Sequence, residues 1–351
     1  MNRYFITTVY VLAVLCRCSF AKDIDTTAIP QEIKLSAKEL ASEPVRTGFK
    51  YDTLDAPFML TYNDSCIICI NVSSETPGDK LLKIYTFNNA EPIYTAVEFG
   101  RGQGQLLSAQ PYIHGDTLIL HDVIKDCITI VDLRRAISDS GYSPDVIGID
   151  FWTNQIMPYK DRLLYLSPYW TDDQRVSKQE AGDKFLVTGP GFTPGWEDGK
   201  YLTLNISAGI LISNKEKDRI LYFDRFDDLL EVYDYSLNII RKITGPDNVQ
   251  PVFTFPKNID ENNIPMQSGG FCNTYLCACS DGSDVYAAYL GMSDDSDSLY
   301  TYLINFDWDG NYKGAYRING VIYYYMTYSD GYIYAAVTDN NGITRLTRFA
   351  I

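Results

Sequence analysis

Gly115-Asp116-Thr117-Leu118-Ile119-Leu120-His121-Asp122 is the stretch on which the fold turns. A polar turn opens it, an apolar run comes next, and a polar pair closes it. The same cadence recurs at Asn63-Asp64-Ser65-Cys66-Ile67-Ile68-Cys69, Lys160-Asp161-Arg162-Leu163-Leu164-Tyr165-Leu166 and Lys217-Asp218-Arg219-Ile220-Leu221-Tyr222-Phe223. Two later copies are Gly282-Ser283-Asp284-Val285-Tyr286-Ala287-Ala288 and Asp330-Gly331-Tyr332-Ile333-Tyr334-Ala335-Ala336. The first inward apolar residues, Cys66, Leu118, Leu163, Ile220, Val285 and Ile333, are separated by 52, 45, 57, 65 and 48 residues. A period near 50 in a strand-rich chain predicts propeller blades. Six copies predict an all-β, six-bladed propeller of four-stranded antiparallel blades.

The runs are apolar on both faces, as in Leu118-Ile119-Leu120, which suits strands covered by a neighbouring sheet on each side. A β-sandwich, the competing architecture, calls for stricter in–out alternation. Second strands come after the cadence at Cys127 to Leu133, Leu230 to Asp234 and Leu303 to Asp307, and Asp309-Gly310-Asn311 is a turn before an outer strand. Asp132 to Ser138 allows one short helical turn. The last copy ends at Ile351 with room for three strands. The fourth is expected from the N-terminal segment, at Glu32 to Leu35, which would close the ring and remove two sheet edges. The alternative is that Glu32 to Leu35 is a linker.

Residues 1–21 have the form of an export signal: Asn2-Arg3, an apolar stretch from Tyr4 to Leu15, and Ser19-Phe20-Ala21 as a cleavage site. Cys16 and Cys18 raise the alternative of a lipid anchor, although Leu15 and Arg17 stand where a small residue is expected. Residues 22–45 form a polar N-terminal segment, and 46–351 the propeller. The net charge of −15 argues against nucleic acid and against an anionic membrane surface, so membrane contact is expected only through such an anchor. Beyond the signal lie Cys66, Cys69, Cys127, Cys272, Cys277 and Cys279. Cys66 and Cys69 point to opposite faces of one strand and cannot share a metal; with 2 His in the chain, a zinc site is not expected. Buried free thiols are the expectation, with disulfides left open by the exported context.

Phe99-Gly100-Arg101-Gly102-Gln103-Gly104 comes directly after the outer strand of the first blade. This loop, the export signal, the cadence and Phe306-Asp307-Trp308-Asp309-Gly310 together resemble the TolB-like six-bladed propeller lipoproteins of Bacteroidetes. The resemblance implies a cell-envelope propeller, periplasmic or at the cell surface. It implies no activity.

Strand alternation puts the Arg101 loop on the same face as two long insertions, Pro168 to Asp183 and Gly291 to Ser298, and clustered insertions mark a binding face. The ligand-binding candidates are Arg101 and Gln103, in a glycine-rich loop able to cradle an anion, and Tyr169 and Trp170, able to stack on planar ligands. Trp152 and Trp196 share that capacity. Each has a structural alternative, as a turn between blades or as packing. Asp294, Asp295 and Asp297 are candidate calcium ligands, with solvated turns as the alternative; Asp307-X-Asp309-Gly310 is a fragment of a calcium loop. His114 and His121 flank one stretch and cannot pair along it. No Gly-X-Ser-X-Gly elbow or zinc-protease motif is present. The expected function is a non-enzymatic envelope propeller binding a peptide, protein or glycan on one loop face. The alternatives are a carbohydrate-active hydrolase or lyase using acidic residues in the central channel, and a scaffold with a wide apolar patch.

Overall fold

In the computed structural model, the described residues are 24–48, 58–71, 74–125, 127–149, 151–153, 155–160, 162–166, 169–170, 184–186, 209–249, 253–254, 266–267, 273–291 and 300–351. Their sheets are arranged radially as a β-propeller. Blade 1 runs Phe58–Tyr62, Cys66–Ile70, Lys80–Thr86, Tyr94–Glu98; blade 2 runs Gln110–His114, Thr117–Asp122, Cys127–Asp132, Asp145–Gly148. Blade 3 runs Gly209–Asn214, Arg219–Asp224, Leu229–Tyr233, Ile239–Thr244, and blade 4 runs Tyr275–Ser280, Asp284–Tyr289, Tyr300–Asp307, Tyr312–Asn319. Blade 5 comprises Val321–Ser329, Tyr332–Thr338, Thr344–Ala350 and, from the other end of the chain, Ser42–Pro44.

The expected six blades are therefore corrected to five. The third copy of the cadence, at Leu163, does form a hairpin, Gln155–Tyr159 with Arg162–Leu166. Its third strand, Lys184–Leu186, pairs in parallel, so among the described residues this sheet has three strands in mixed orientation rather than four antiparallel ones. The cadence encodes a turn and the strand after it, which is a hairpin. A full blade also needs two further apolar runs at short spacing. The next described strand of this sheet, Lys184–Leu186, comes 18 residues after Leu166. The small sheet stands between blades 2 and 3, its first strand touching the inner strands of both.

Within a run, side chains are dealt alternately to the two neighbouring sheets. Leu118 and Leu120 pack with Leu60, Ile68 and Leu82 of blade 1, whereas Ile119 packs with Ile156 and Tyr165 of the three-stranded sheet. Ile68 and Ile70 face blade 2, while Ile67 and Cys69 meet Leu346 of blade 5. Burying each Leu or Ile contributes roughly 1.5–3 kcal/mol, so the layers between sheets dominate stability. Cys66, Cys69, Cys277 and Cys279 are buried free thiols inside these layers, and Cys127 is buried there too; Cys272 lies outside the described residues.

The N-terminal segment binds the outer edges of three successive blades. Asp25–Ala28 pairs in parallel with blade 3, Lys38–Glu39 in parallel with blade 4, and Ser42–Pro44 antiparallel with blade 5. The strand that completes the last blade is thus Ser42–Pro44, whereas Ile33–Ser36, overlapping the expected Glu32 to Leu35 stretch, is one helical turn. That turn is anchored by Ile33, which with Ile29 enters the core between blades 3 and 4. Pro44 fits an outermost strand, where its missing N–H faces no partner. The second short helix, Leu133–Ser138, is capped by Asp132, whose carboxylate accepts from the Arg135 N–H.

Acidic residues brace the turns. Asp234 Oδ1 accepts from the N–H groups of Ser236 and Asn238, and Asn238 Nδ2 donates back to Asp234 Oδ2. Asp307 repeats this pattern with Asp309 and Asn311. Asp309 Oδ1 also takes a bond from Arg219 Nε at 2.8 Å, so the calcium-loop fragment is a self-bonded turn tied to blade 3.

Candidate functional site

The inner strands of all five blades and of the three-stranded sheet converge on a central cavity of about 610 Å³. Their inward edges are tied to one another by side chains that imitate backbone pairing. Gln155 donates Nε2 to Leu211 O at 3.1 Å and accepts from the Leu211 N–H at 2.5 Å through Oε1. Thr61 and Thr327 join blades 1 and 5 hydroxyl to hydroxyl. Between Ile322 and Met326 the blade 5 inner strand bulges. Tyr325, within the bulge, packs beside Phe58 and donates its hydroxyl to the Pro111 carbonyl of blade 2. Tyr324 is 59% exposed and meets Phe58 edge-on at 4.8 Å.

The cavity wall combines aromatic, amide and hydroxyl groups, such as Tyr62, Tyr112, Gln110 and Asn214, with aliphatic ones such as Ile113 and Leu276. Among the described residues lining it, Asp116 is the one carboxylate. It is already engaged, accepting from Tyr62 Oη at 2.5 Å and pairing with Arg134 Nη2 at 2.6 Å. Burial, and then the Asp116 bond, raise the Tyr62 hydroxyl above its ordinary range, the wrong direction for a general base.

Arg225 is the distinctive charge at the wall. It comes directly after the last residue of Arg219–Asp224 and stands at the end where the inner strands begin, the end shared with the Arg101 loop. Among the described residues no acceptor lies within bonding distance of its guanidinium, and its Nε is buried without a partner. Burial pushes the Tyr112 hydroxyl and the Cys277 thiol up, and the Arg225 charge opposes that shift in both. The loop beneath is fixed. Asp224 Oδ1 accepts from the Phe226 and Asp227 N–H groups at 2.8 and 2.9 Å, and Thr274 donates its N–H to Arg225 O at 2.7 Å. Burial raises the Asp224 carboxyl to about 7.

Of the residues expected from sequence, Arg101 and Gln103 are exposed. Their loop is closed on itself: the Gly102 N–H is given to Gln105 Oε1 at 2.8 Å, Gln105 Nε2 reaches Glu98 at 3.1 Å, and Lys125 Nζ bonds Gly102 O at 2.8 Å. Tyr169–Trp170 forms a two-stranded pairing with Phe151–Trp152. Asp294, Asp295, Asp297 and Trp196 lie outside the described residues. His114 and His121 sit on adjacent strands, His121 opposite Gln110 rather than at the far end of one strand. Sequence reasoning did not single out Arg225. Its signal is slight, one cation within Asp224-Arg225-Phe226-Asp227-Asp228 directly after a cadence strand.

No protein-family model and no curated protein matches the sequence. Solved structures do resemble it. A Bacteroides fragilis protein named as a presumptive exported protein is 11% identical, with 93% of this chain and 98% of that chain covered at a TM-score of 0.51. A member of the DUF4221 family from Bacteroides vulgatus is 12% identical over 90% of this chain and 96% of its own, with a TM-score of 0.48. BamB from Moraxella catarrhalis is 10% identical over 90% and 99%, with a TM-score of 0.36. Of these, the first exceeds 0.5. At such identities it speaks to fold alone, consistent with a β-propeller.

Proposed function

We propose that this chain is an exported, non-catalytic propeller that binds its ligand in the central channel, entered from the end bearing the Arg101 and Arg225 loops. The observation that carries the reading is the chemistry of the wall. It offers aromatic faces, amides, hydroxyls and one guanidinium without a described acceptor, with a single carboxylate already bonded to Tyr62 and Arg134. Glycoside cleavage in its common form needs two carboxylates flanking the bond, and the described wall offers one. Export is supported by Asn2-Arg3, the apolar stretch to Leu15 and Ser19-Phe20-Ala21. The scaffold alternative calls for a wide apolar patch, and the exposed large apolar side chains among the described residues come singly or in pairs along the chain, such as Val146 with Ile147.

The test is a thermal-shift panel of peptides and oligosaccharides, run beside product analysis on the same mixtures. The reading expects a ligand that raises Tm and is recovered unchanged. Turnover abolished by Asp116→Asn would establish the enzymatic alternative instead, and a panel with no shift at all would remove the channel as a binding site.

A further inference from the structure

We infer that Arg225 is a carboxylate receptor and that the channel takes a short acidic oligosaccharide carrying one uronate group; this rests on the channel-binding reading above. The first support is the isolation of the guanidinium. The chain carries 45 Asp and Glu, and several of its other arginines are paired with them: Arg134 with Asp116, Arg219 with Asp309, Arg241 with Asp25, Arg345 with Asp339. Arg225 alone faces the cavity with a buried Nε and no described acceptor. A planar guanidinium left open in this way matches a carboxylate through two parallel bonds. It is also held in advance, because Thr274 fixes the loop from blade 4 through the Arg225 carbonyl and, by its hydroxyl, through Asp224 O at 2.9 Å and Asp227 O at 3.1 Å.

The remaining wall selects a sugar over a peptide. Extended peptides are read by adding a strand to an open sheet edge, and here the inner edges converge and are cross-tied at Gln155–Leu211 and Thr61–Thr327. The exposed Tyr324 ring presents a face on which a pyranose can stack, and Gln110 offers an amide for hydroxyls. About 610 Å³ lies within the usual range for small-ligand sites. The net charge of −15 repels long polyanions, which favours a short ligand with a single charge.

The experiment is calorimetric titration of the full chain with cellobiouronic acid and with cellobiose, its twin lacking the carboxylate. The acid is expected to bind at least about tenfold more tightly, a typical margin for a charge-assisted pair. Arg225→Gln is expected to erase that margin while Tm stays close to wild type, and Arg225→Lys to retain part of it. Equal binding of the two sugars, or a margin that survives Arg225→Gln, overturns the assignment. If Arg225→Gln fails to fold, Arg225→Lys decides: a reduced margin supports the assignment and an undiminished one overturns it. Failure of both sugars to bind wild type overturns the acidic-sugar assignment, and a peptide hit in the broader panel would then keep the channel reading alive on its own.

Discussion

Glu43 stands directly opposite Arg348 across the seam that joins the two ends of the chain, its Oε2 2.9 Å from Nε and 2.7 Å from Nη2. The arrangement repeats along the N-terminal segment: Asp25 is the register partner of Arg241, and Glu39 of Arg317, each as an ion pair. Apart from Arg241 the charges are exposed, so they select the register of the segment rather than holding it. Glu43→Gln is expected to leave Tm nearly unchanged. A chain lacking residues 24–44 loses the edge strands and the burial of Ile29 and Ile33, and its Tm should fall steeply. Differential scanning calorimetry of both variants checks this; equal Tm values for the truncated and full chains would contradict it.

Lys34 makes a different kind of contact. Its Nζ lies 2.7 Å from Asp247 Oδ2, with the two side chains 9% and 16% exposed. Tyr289 Oη lies 3.0 Å from both Asp247 and Asp228. Lys34→Met leaves the Asp247 carboxylate buried without its cation, a loss of about 3 kcal/mol for pairs of this kind. Urea unfolding is expected to show that loss, and Lys34→Met with Asp247→Leu to recover part of it.

His121 sets an acid limit. It is fully buried, neither ring nitrogen has a described partner, and burial lowers its pKa to about 4. The unfolded state therefore takes up the proton first, and stability present above pH 6.5 is lost as pH falls towards 4, by about 3 kcal/mol across the window. Asp224 acts in the opposite sense: with its folded pKa raised to about 7, it favours the folded state at low pH and loses that contribution as pH rises from 3.8 through 7. His121→Leu isolates the first effect. Its stability relative to wild type, measured by urea unfolding at pH 7.5 and 5, should improve as pH falls; a constant difference would show that His121 does not titrate as described.

Gly310 has φ +77°, and a Cβ there would lie 2.6 Å from Ile243 Cδ1 and 2.8 Å from Val232 Cγ2 of blade 3. The blade 4 turn is thus pressed onto its neighbour. Gly310→Ala should cost about 1–2 kcal/mol from the left-handed backbone alone, plus the displaced contacts, read as a lowered urea midpoint with unchanged slope.

The cadence could be read because its two requirements are local: a turn, then a run apolar on both faces. Leu118-Ile119-Leu120 shows this, since its alternation between two neighbouring sheets is the result of a period of two. The number of blades is not local. The Leu163 copy looks like the others, but the next described strand to join its hairpin, Lys184–Leu186, is distant in sequence and pairs in parallel. Ser42-Glu43-Pro44 was hidden for a related reason, being a poor strand former recruited by register-matched charges on blade 5. The site was harder still. Arg225 faces the channel because of ring curvature and a hydroxyl from Thr274, 49 residues on, and neither is written in its neighbours.

The most direct test of a channel ligand is hydroxyl-radical footprinting with and without the bound sugar. Tyr324, 59% exposed at the channel wall, should be protected, while Ile147, 44% exposed on the outer strand of blade 2, should be modified at the same rate in both states. Protection of Ile147 with Tyr324 unchanged would put the ligand on the outside of the ring and contradict a binding channel.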